Sequence, residues 1–524
     1  MKNNFIKQTA IYAAAIAVSV GAASCSKLDE KVFGSKSVAS ASAGSSTADL
    51  ASVYGQLNGL ASQGNWFAFQ EHSTDELLGP TRGTDWDDFG TWRKIHLHAV
   101  DGAHNQLYDT WNQLNGALFQ ATLVAEKGTG TAKAEGQFLR AYFASQVMDL
   151  FGQVPYRSAT AGADDIPEVK TRAAAFDWII ADLDAAIAAL PTFGTGNDNH
   201  KANKQAAQFL KARLLLNKAV YKADPKTPTT FTFDAADMNA VVTLVDAITA
   251  SGRFSLSTNY WDNFKWDNNT ASTELIFTRA TNGAGKANQT GGTADITWAT
   301  GMGTHYNQAF SGWNGFTTTS DFYNSFDDGD KRKYAELTNM TEKSGLNAGF
   351  LAGQQYKYDG TTRVMVKDRS GSPLVFTPDV SLFFSTEAKG IRTMKYPLRY
   401  DQMSFNDENE FVLMRYSDAL LMKAEAIARG ASATGGQTAL SIVNSIRARS
   451  GASAKTAVTL SDILAERGRE LYLEAVRRPD LIRFGKFNDP VIERATKSDA
   501  FRVVYPVPNQ AVSSNPNLKQ NFGY

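Results

Sequence analysis

Two stretches of this chain set tryptophan and tyrosine among arginine, aspartate and asparagine in glycine-rich surroundings. GPTRGTDWDDFGTW (79–92) carries Arg82, Asp85, Trp86 and Trp92. ITWATGMGTHYNQAFSGWNGF (296–316) carries Trp298, His305, Tyr306, Trp313 and Asn314. Flat aromatic rings offer rigid apolar platforms, and carboxylate, amide and guanidinium groups beside them satisfy hydroxyls. A ligand with an apolar face and a rim of hydroxyls, such as a sugar ring, needs that mixture. The alternative for each aromatic is a place in the core. A third cluster, NYWDNFKWDN (259–268), is rich in asparagine and reads as surface-packed.

Bond-breaking chemistry finds weaker support. The six histidines are His72, His96, His98, His104, His200 and His305, and no H-E-x-x-H spacing occurs among them. His96 and His98 alternate with Ile95 and Leu97, as on the wet face of an extended segment. No G-x-S-x-G elbow is present, and GAGK at 283–286 lacks the upstream glycine and following Ser/Thr of a phosphate loop. FDDGD (326–330) misses the spacing of a calcium loop. No catalytic residue, metal or cofactor is therefore expected. A carboxylate pair for glycoside hydrolysis has no linear signature. A surface glycosidase thus stands as the alternative to binding.

The single cysteine, Cys25, follows Lys2 and Lys7, the apolar run AIYAAAIAVSV (10–20) and the small residues Gly21–Ser24. The run is too short to span a bilayer and has the length of a signal-peptide core. Charge, apolar run, small residues and cysteine together resemble a bacterial lipoprotein signal. Residues 1–24 would be removed and the Cys25 thiol acylated. Ala22 and Ser24 depart from the commonest pattern but are small. The Ser/Ala/Gly-rich segment to residue 45 reads as a flexible tether. Beyond Cys25 no disulfide or cysteine metal site is available. Lys+Arg and Asp+Glu both number 53, which removes any global pull toward nucleic acid.

Helical periodicity dominates both ends of the chain. TRAAAFDWIIADLDAAIAALP (171–191) lines up Phe176, Ile179, Ile180, Leu183, Ile187 and Leu190, with Thr171 as N-cap and Pro191 as stop. NKQAAQFLKARLLLNKAVY (203–221) repeats the pattern, so the two predict a helical hairpin. Further helices are expected at 46–62, 104–126, 132–151 and 235–250, and later at 411–430, 435–451 and 460–476. Gly430 and Gly451 fit C-terminal stops. Paired helices of this kind resemble tetratricopeptide hairpins, without a strict sequence repeat. Residues 252–410 differ: rich in Gly, Thr, Asn and aromatics, they read as a loop-rich insert with short strands, of the kind that carries function.

Three stretches together resemble the SusD/RagB family, surface glycan-binding lipoproteins of Bacteroidetes. They are QFLRAYFASQVMDLFGQVPY (137–156); FVLMRYSDALLMKAEAIARG with NSIRARSG and LAERGRELYLEAVRRPDLIRFGKF (464–487); and the terminal VVYPVPNQAVSSNPNLKQNFGY (503–524). STDELLGPTRGTDWDDFGTWRKIHLH (73–98) looks like family members as well. The resemblance implies a mostly α fold: one SusD-like domain over 46–524, with an N-terminal helical half (46–251), the insert (252–410) and a C-terminal helical segment (411–524). It implies a non-enzymatic protein, lipid-anchored in the outer membrane and facing outward. Such a protein captures a glycan, or for some members a peptide, and delivers it to a SusC-like TonB-dependent transporter. The family's ligand site is built from loops in the two regions quoted first. Glu466, Arg467, Glu470, Glu474, Arg478, Asp480 and Arg483 read as a scaffold network at i,i+3 and i,i+4 spacings, and Gln520–Tyr524 as a segment that pins the C-terminus.

Overall fold

The computed structural model describes residues 46–524, apart from 163, 195–198, 228–229, 282–293 and 401–407. Cys25, the signal and tether segments and GAGK (283–286) lie outside the described residues. The fold is mostly α. Its spine is a run of consecutively packed helices: α1 (Ser46–Gln56), α2 (Asn105–Lys127), α3 (Gly130–Phe151), α4 (Arg172–Ala189), α5 (Lys204–Leu216) and α6 (Ala235–Ala250). The chain then leaves for the insert and returns as α7 (Tyr416–Ala428), α8 (Ala439–Arg449), α9 (Leu460–Leu471) and α10 (Arg477–Arg483), with α7 packed on α6.

Local sequence sets the ends of these helices. Thr171 accepts the Ala174 N–H at the start of α4, and Asn203 the Ala206 N–H at the start of α5. Thr438 with Ser441 and Thr459 with Asp462 form reciprocal capping boxes on α8 and α9. Gly430 and Gly451 follow α7 and α8 with φ of 107° and 73°. α3 is enclosed on nearly every side. It approaches α2 closely at Gly136, where a Cβ would lie 2.7 Å from the Ala125 nitrogen.

Several expected boundaries move. Residues 411–415 form a strand before α7 begins. Phe411–Arg415 pairs antiparallel with Leu275–Arg279, all ten of these residues are buried, and β-branched and aromatic side chains suit that place. α1 stops at Gln56 and continues as a short 3₁₀ turn, and the helix expected at 203–221 breaks at Asn217. α9 stops at Leu471 because Leu473 and Ala475 take φ of 57° and 58°. The NYWDNFKWDN cluster is core: Tyr260, Trp261 and Phe264 are fully buried. His96 and His98 end a helical turn and are buried too, each ring bonded to backbone carbonyls.

The strand pair 275–279/411–415 closes the root of the insert, and a buried ion network fastens it. Arg332 of the insert binds Asp330 at 2.6 Å, Glu466 at 2.7 Å and Glu470 at 2.9 Å, all with fully buried side chains. Arg449 reaches Glu274 at 2.9 Å and Glu470 at 2.5 Å. Arg415 takes Glu470 at 2.6 Å and Glu474 at 2.7 Å. The expected i,i+3 spacing accounts for Arg469–Glu466 and Arg483–Asp480. Apart from Arg332–Asp330, two residues apart, the other pairs named cross between distant segments, so the network locks insert to helices rather than stiffening one helix. At the C-terminus, Asn521 donates to the Phe151 and Tyr505 carbonyls and Tyr524 to that of Val504.

Candidate functional site

The two aromatic loops meet on one surface of the insert. The turn Gly312–Gly315 projects Trp313, which is 42% exposed. Its backbone is held from behind: the N–H groups of Trp313, Asn314 and Gly315 donate to the carbonyls of Gly301, Thr304 and Met302. Asn314 occupies the left-handed region at φ 51°, a conformation asparagine tolerates. Trp86, half-buried and itself at φ 63°, donates its indole N–H to the Trp313 carbonyl at 3.0 Å. Gly315 is required beneath it, since a Cβ there would stand 2.6 Å from the Trp86 ring. Trp86 backs onto Phe316 (5.1 Å between centroids) and Trp92 (5.9 Å), and both rest against His72. Burial pushes His72 down to about 3, so this stack is uncharged at neutral pH.

Beside the tryptophans lies a polar trio. Tyr306 donates to Asp85 Oδ2 at 2.9 Å, and Arg369 reaches the same oxygen at 3.2 Å. Arg369 also binds Glu387 and covers the Tyr306 ring at 4.5 Å. His305 accepts the Asn307 N–H on Nδ1, which leaves its Nε2–H to donate to Glu387 at 3.0 Å. Burial raises the Glu387 carboxyl, but His305 and Arg369 outweigh it and hold the group below the usual carboxylate range. Burial and the bond to Asp85 push the Tyr306 phenol up to about 12. Glycosidic general acids need a raised carboxyl. Glu387 has the opposite bias, its partner Arg369 is likewise held in the charged form by that carboxylate, and the trio presents hydrogen-bonding groups.

The nine residues singled out from sequence separate by exposure. Trp313, Trp86, Tyr306 and Asp85 come together at the surface. The other five stand behind them. Arg82 is buried and donates to the carbonyls of Gly315, Thr386 and Lys389. Trp92 is buried and donates to Asp88 at 2.6 Å. Trp298 is buried edge-on against Phe67 and donates to the Ala61 carbonyl at 3.0 Å, anchoring the short helix Trp298–Gly301. His305 is buried behind Glu387. Asn314 is buried and accepts from Arg392 at 2.9 Å. These five place the loops, and their polar groups have partners within the protein.

Arg369 and Glu387 were missed by sequence reasoning. Arg369 sits in the turn DRSGS (368–372), where charge and turn signals coincide, whereas nothing around Glu387 distinguishes it. Exposed phenylalanines extend the rim. Phe89 is 96% and Phe384 is 84% exposed, on segments that pair through the Thr81 N–H to Leu382 and the Ser385 N–H to Thr81. Among the described residues, no group of three His, Cys, Asp or Glu is placed to hold a metal ion, and no helix is long and apolar enough to cross a membrane.

Comparison with known proteins gives two family matches. The SusD family model matches residues 273–524, and the model described as starch-binding associating with outer membrane matches 76–249. The starch-binding protein SusD of Bacteroides thetaiotaomicron is 25% identical over 455 residues, which is 79% of this chain and 76% of the relative. A SusD superfamily protein from Parabacteroides distasonis superposes with a TM-score of 0.68 at 18% identity, covering 91% of this chain and 98% of that one. Surface glycan-binding protein A of Bacteroides thetaiotaomicron, solved with laminarihexaose, gives 0.63 at 18% identity and covers 90% and 98%.

Proposed function

Because this chain belongs to the SusD family, we propose that it is a binding protein, not an enzyme, that captures a glycan at the outer-membrane surface. Trp313 and Trp86 form the platform for the sugar faces, and Tyr306, Asp85, Arg369 and Glu387 meet the hydroxyls. Arg82, Trp92, Trp298, His305 and Asn314 preorganise those groups. Acylated Cys25 anchors the chain, and the tether to residue 45 keeps the platform above the membrane, facing outward. A SusC-like TonB-dependent transporter receives the glycan, and tethering both to one membrane raises the effective ligand concentration at the pore.

The observation that carries this reading is Trp313 held outward by three backbone hydrogen bonds, with the Asp85–Arg369–Glu387 trio alongside. One relative is named for starch and one structural neighbour holds laminarihexaose, so α- and β-linked glucans are the first candidates. The test is calorimetric titration of the chain with starch and laminarin oligosaccharides, followed by a glycan array. At 42% exposure Trp313 offers roughly 100 Å² of a ~250 Å² side chain. Burying most of that under a sugar at ~25 cal/mol per Å² corresponds to about 2 kcal/mol, so Trp313→Ala is expected to weaken binding about 30-fold. Unchanged affinity in both Trp313→Ala and Trp86→Ala would remove the platform, and released product would replace binding with hydrolysis.

A further inference from the structure

A second cleft, of about 560 Å³, opens where the start of α4, the turn after α5 and the C-terminal tail meet. That volume falls in the range of small-molecule sites. None of its lining residues belongs to the two aromatic loops. Its walls are fixed by the protein itself: Gln153 donates to the Lys519 carbonyl at 2.6 Å and accepts the Lys519 N–H at 3.1 Å. The cleft is therefore preformed.

Its charge is one-sided. Arg172, Lys222, Lys226 and Lys519 line it against one acid, Asp224, in a chain of balanced charge. Lys222 is committed to Asp177 at 2.6 Å, and Asp224 accepts the Lys226 N–H at 3.0 Å. Arg172 is 5% exposed and lies 5.1 Å over the Tyr221 ring. Its Nη1 donates to the Val220 carbonyl at 3.3 Å, while Nε and Nη2 have no hydrogen-bond partner. Those two nitrogens are closed to solvent, so the uncompensated guanidinium acts on the cleft it lines through its charge, which favours an oxyanion there. Arg172 is also the first residue of the 18-residue helix α4, whose positive dipole end adds to the field. At the mouth, Phe522 is 59% exposed, with the Lys226 ammonium 5.9 Å from its ring.

We propose that this cleft is a second binding site, for a sugar ring bearing a carboxylate or sulfate group, with the oxyanion among Arg172, Lys226 and Lys519 and the ring against Phe522. The site stands apart from the tryptophan platform, so either can fail without the other. The test is calorimetry on the full chain with glucuronate and glucose 6-sulfate. Glucose, inorganic sulfate and phosphatidylglycerol vesicles serve as comparisons. An acidic sugar is expected to bind at least about tenfold more tightly than glucose or sulfate alone, and less tightly as salt is raised. Arg172→Ala risks the fold, so the decisive variants are the exposed Lys226→Ala/Lys519→Ala pair and Phe522→Ala. Each is expected to weaken acidic-sugar binding at least about tenfold, with Trp313→Ala binding it as wild type. The proposal is overturned if neither acidic sugar binds, if sulfate alone binds as tightly, if vesicles alone bind, or if these variants bind as wild type does.

Discussion

Glu71 and Glu76 are 0% and 2% exposed, and burial raises both carboxyls, an arrangement that makes the fold sensitive to pH. Glu71 accepts the Ala475 N–H at 2.6 Å and Glu76 the Leu473 N–H at 3.3 Å. The pair thus holds the two residues whose left-handed backbone ends α9. Burial pushes the Glu71 carboxyl from 4.5 up to about 7, against the pull of the Ala475 N–H, and raises Glu76 as well. Between these two values the folded chain binds more protons than the unfolded one, so stability falls as pH rises from 4.5 to 7. At ~1.4 kcal/mol per pH unit the shift is worth about 3 kcal/mol, present in full below pH 4.5 and absent above about 7.

Glu71→Gln separates this effect from every other titration. The glutamine oxygen still accepts from Ala475, and its amide carries no proton that titrates in this range. Urea unfolding of both chains at pH 5 and pH 8, at one ionic strength, reads the difference. From pH 5 to pH 8 wild type is expected to lose about 3 kcal/mol relative to Glu71→Gln. Equal losses in the two chains, or a glutamine variant that loses more, would refute the account based on a buried, protonated Glu71.

Two other substitutions test the division between platform and scaffold. Trp298→Ala empties a buried indole site and is expected to cost ~3–5 kcal/mol in unfolding free energy, whereas Trp313→Ala should stay within ~0.5 kcal/mol of wild type; urea titration of the two variants checks this. Glu470→Gln strips charge from a carboxylate that meets Arg332 at 2.9 Å, Arg415 at 2.6 Å and Arg449 at 2.5 Å. The loss expected at pH 7 is ~3–5 kcal/mol. Although burial opposes it, those arginines hold the Glu470 carboxyl well below 4.5, so its contribution is present in full above that pH and is lost progressively as pH falls from there through the depressed folded-state value. Wild type and Glu470→Gln should therefore converge in strongly acidic unfolding curves.

Three helices of the spine, α4, α5 and α6, announce themselves within one turn: Thr171, Asn203 and Asp234 all cap where a polar residue precedes an apolar period; α2 and α3 begin without a side-chain cap and were legible from their apolar period alone. FVLMR (411–415) misled because a short apolar run fits a buried strand as well as the first turn of a helix. The partner that decides it, Leu275–Arg279, lies far away in sequence. The same limit governs the candidate site. Composition singled out Trp86 and Trp313 alongside Trp92 and Trp298, and a tryptophan's surroundings settle whether it is exposed or core. Trp298 and Trp92 read like the other two in sequence, yet Phe67 and Phe316 enclose them. Arg369 and Glu387 escaped notice because their role comes from meeting Asp85 and His305 across the insert.

Charge is used in two opposite ways along this chain, and the difference bears on how a ligand could change without changing the fold. In the C-terminal network each carboxylate is buried and saturated by arginine, so a single substitution leaves an uncompensated charge in the core. At the platform, Arg82 and the two Nη groups of Arg392 donate to loop carbonyls and fix the backbone, while Arg369 is exposed and shared between Asp85 and Glu387. Replacing Arg369, Asp85 or Tyr306 alters what a hydroxyl meets and leaves those buried anchors in place. The first set therefore constrains the fold, and under the proposed function the second is free to set which ring and linkage would lie on Trp313. A scaffold divided in this way tolerates new surface side chains at 85, 306, 369 and 387 far better than any change at 82, 298 or 392.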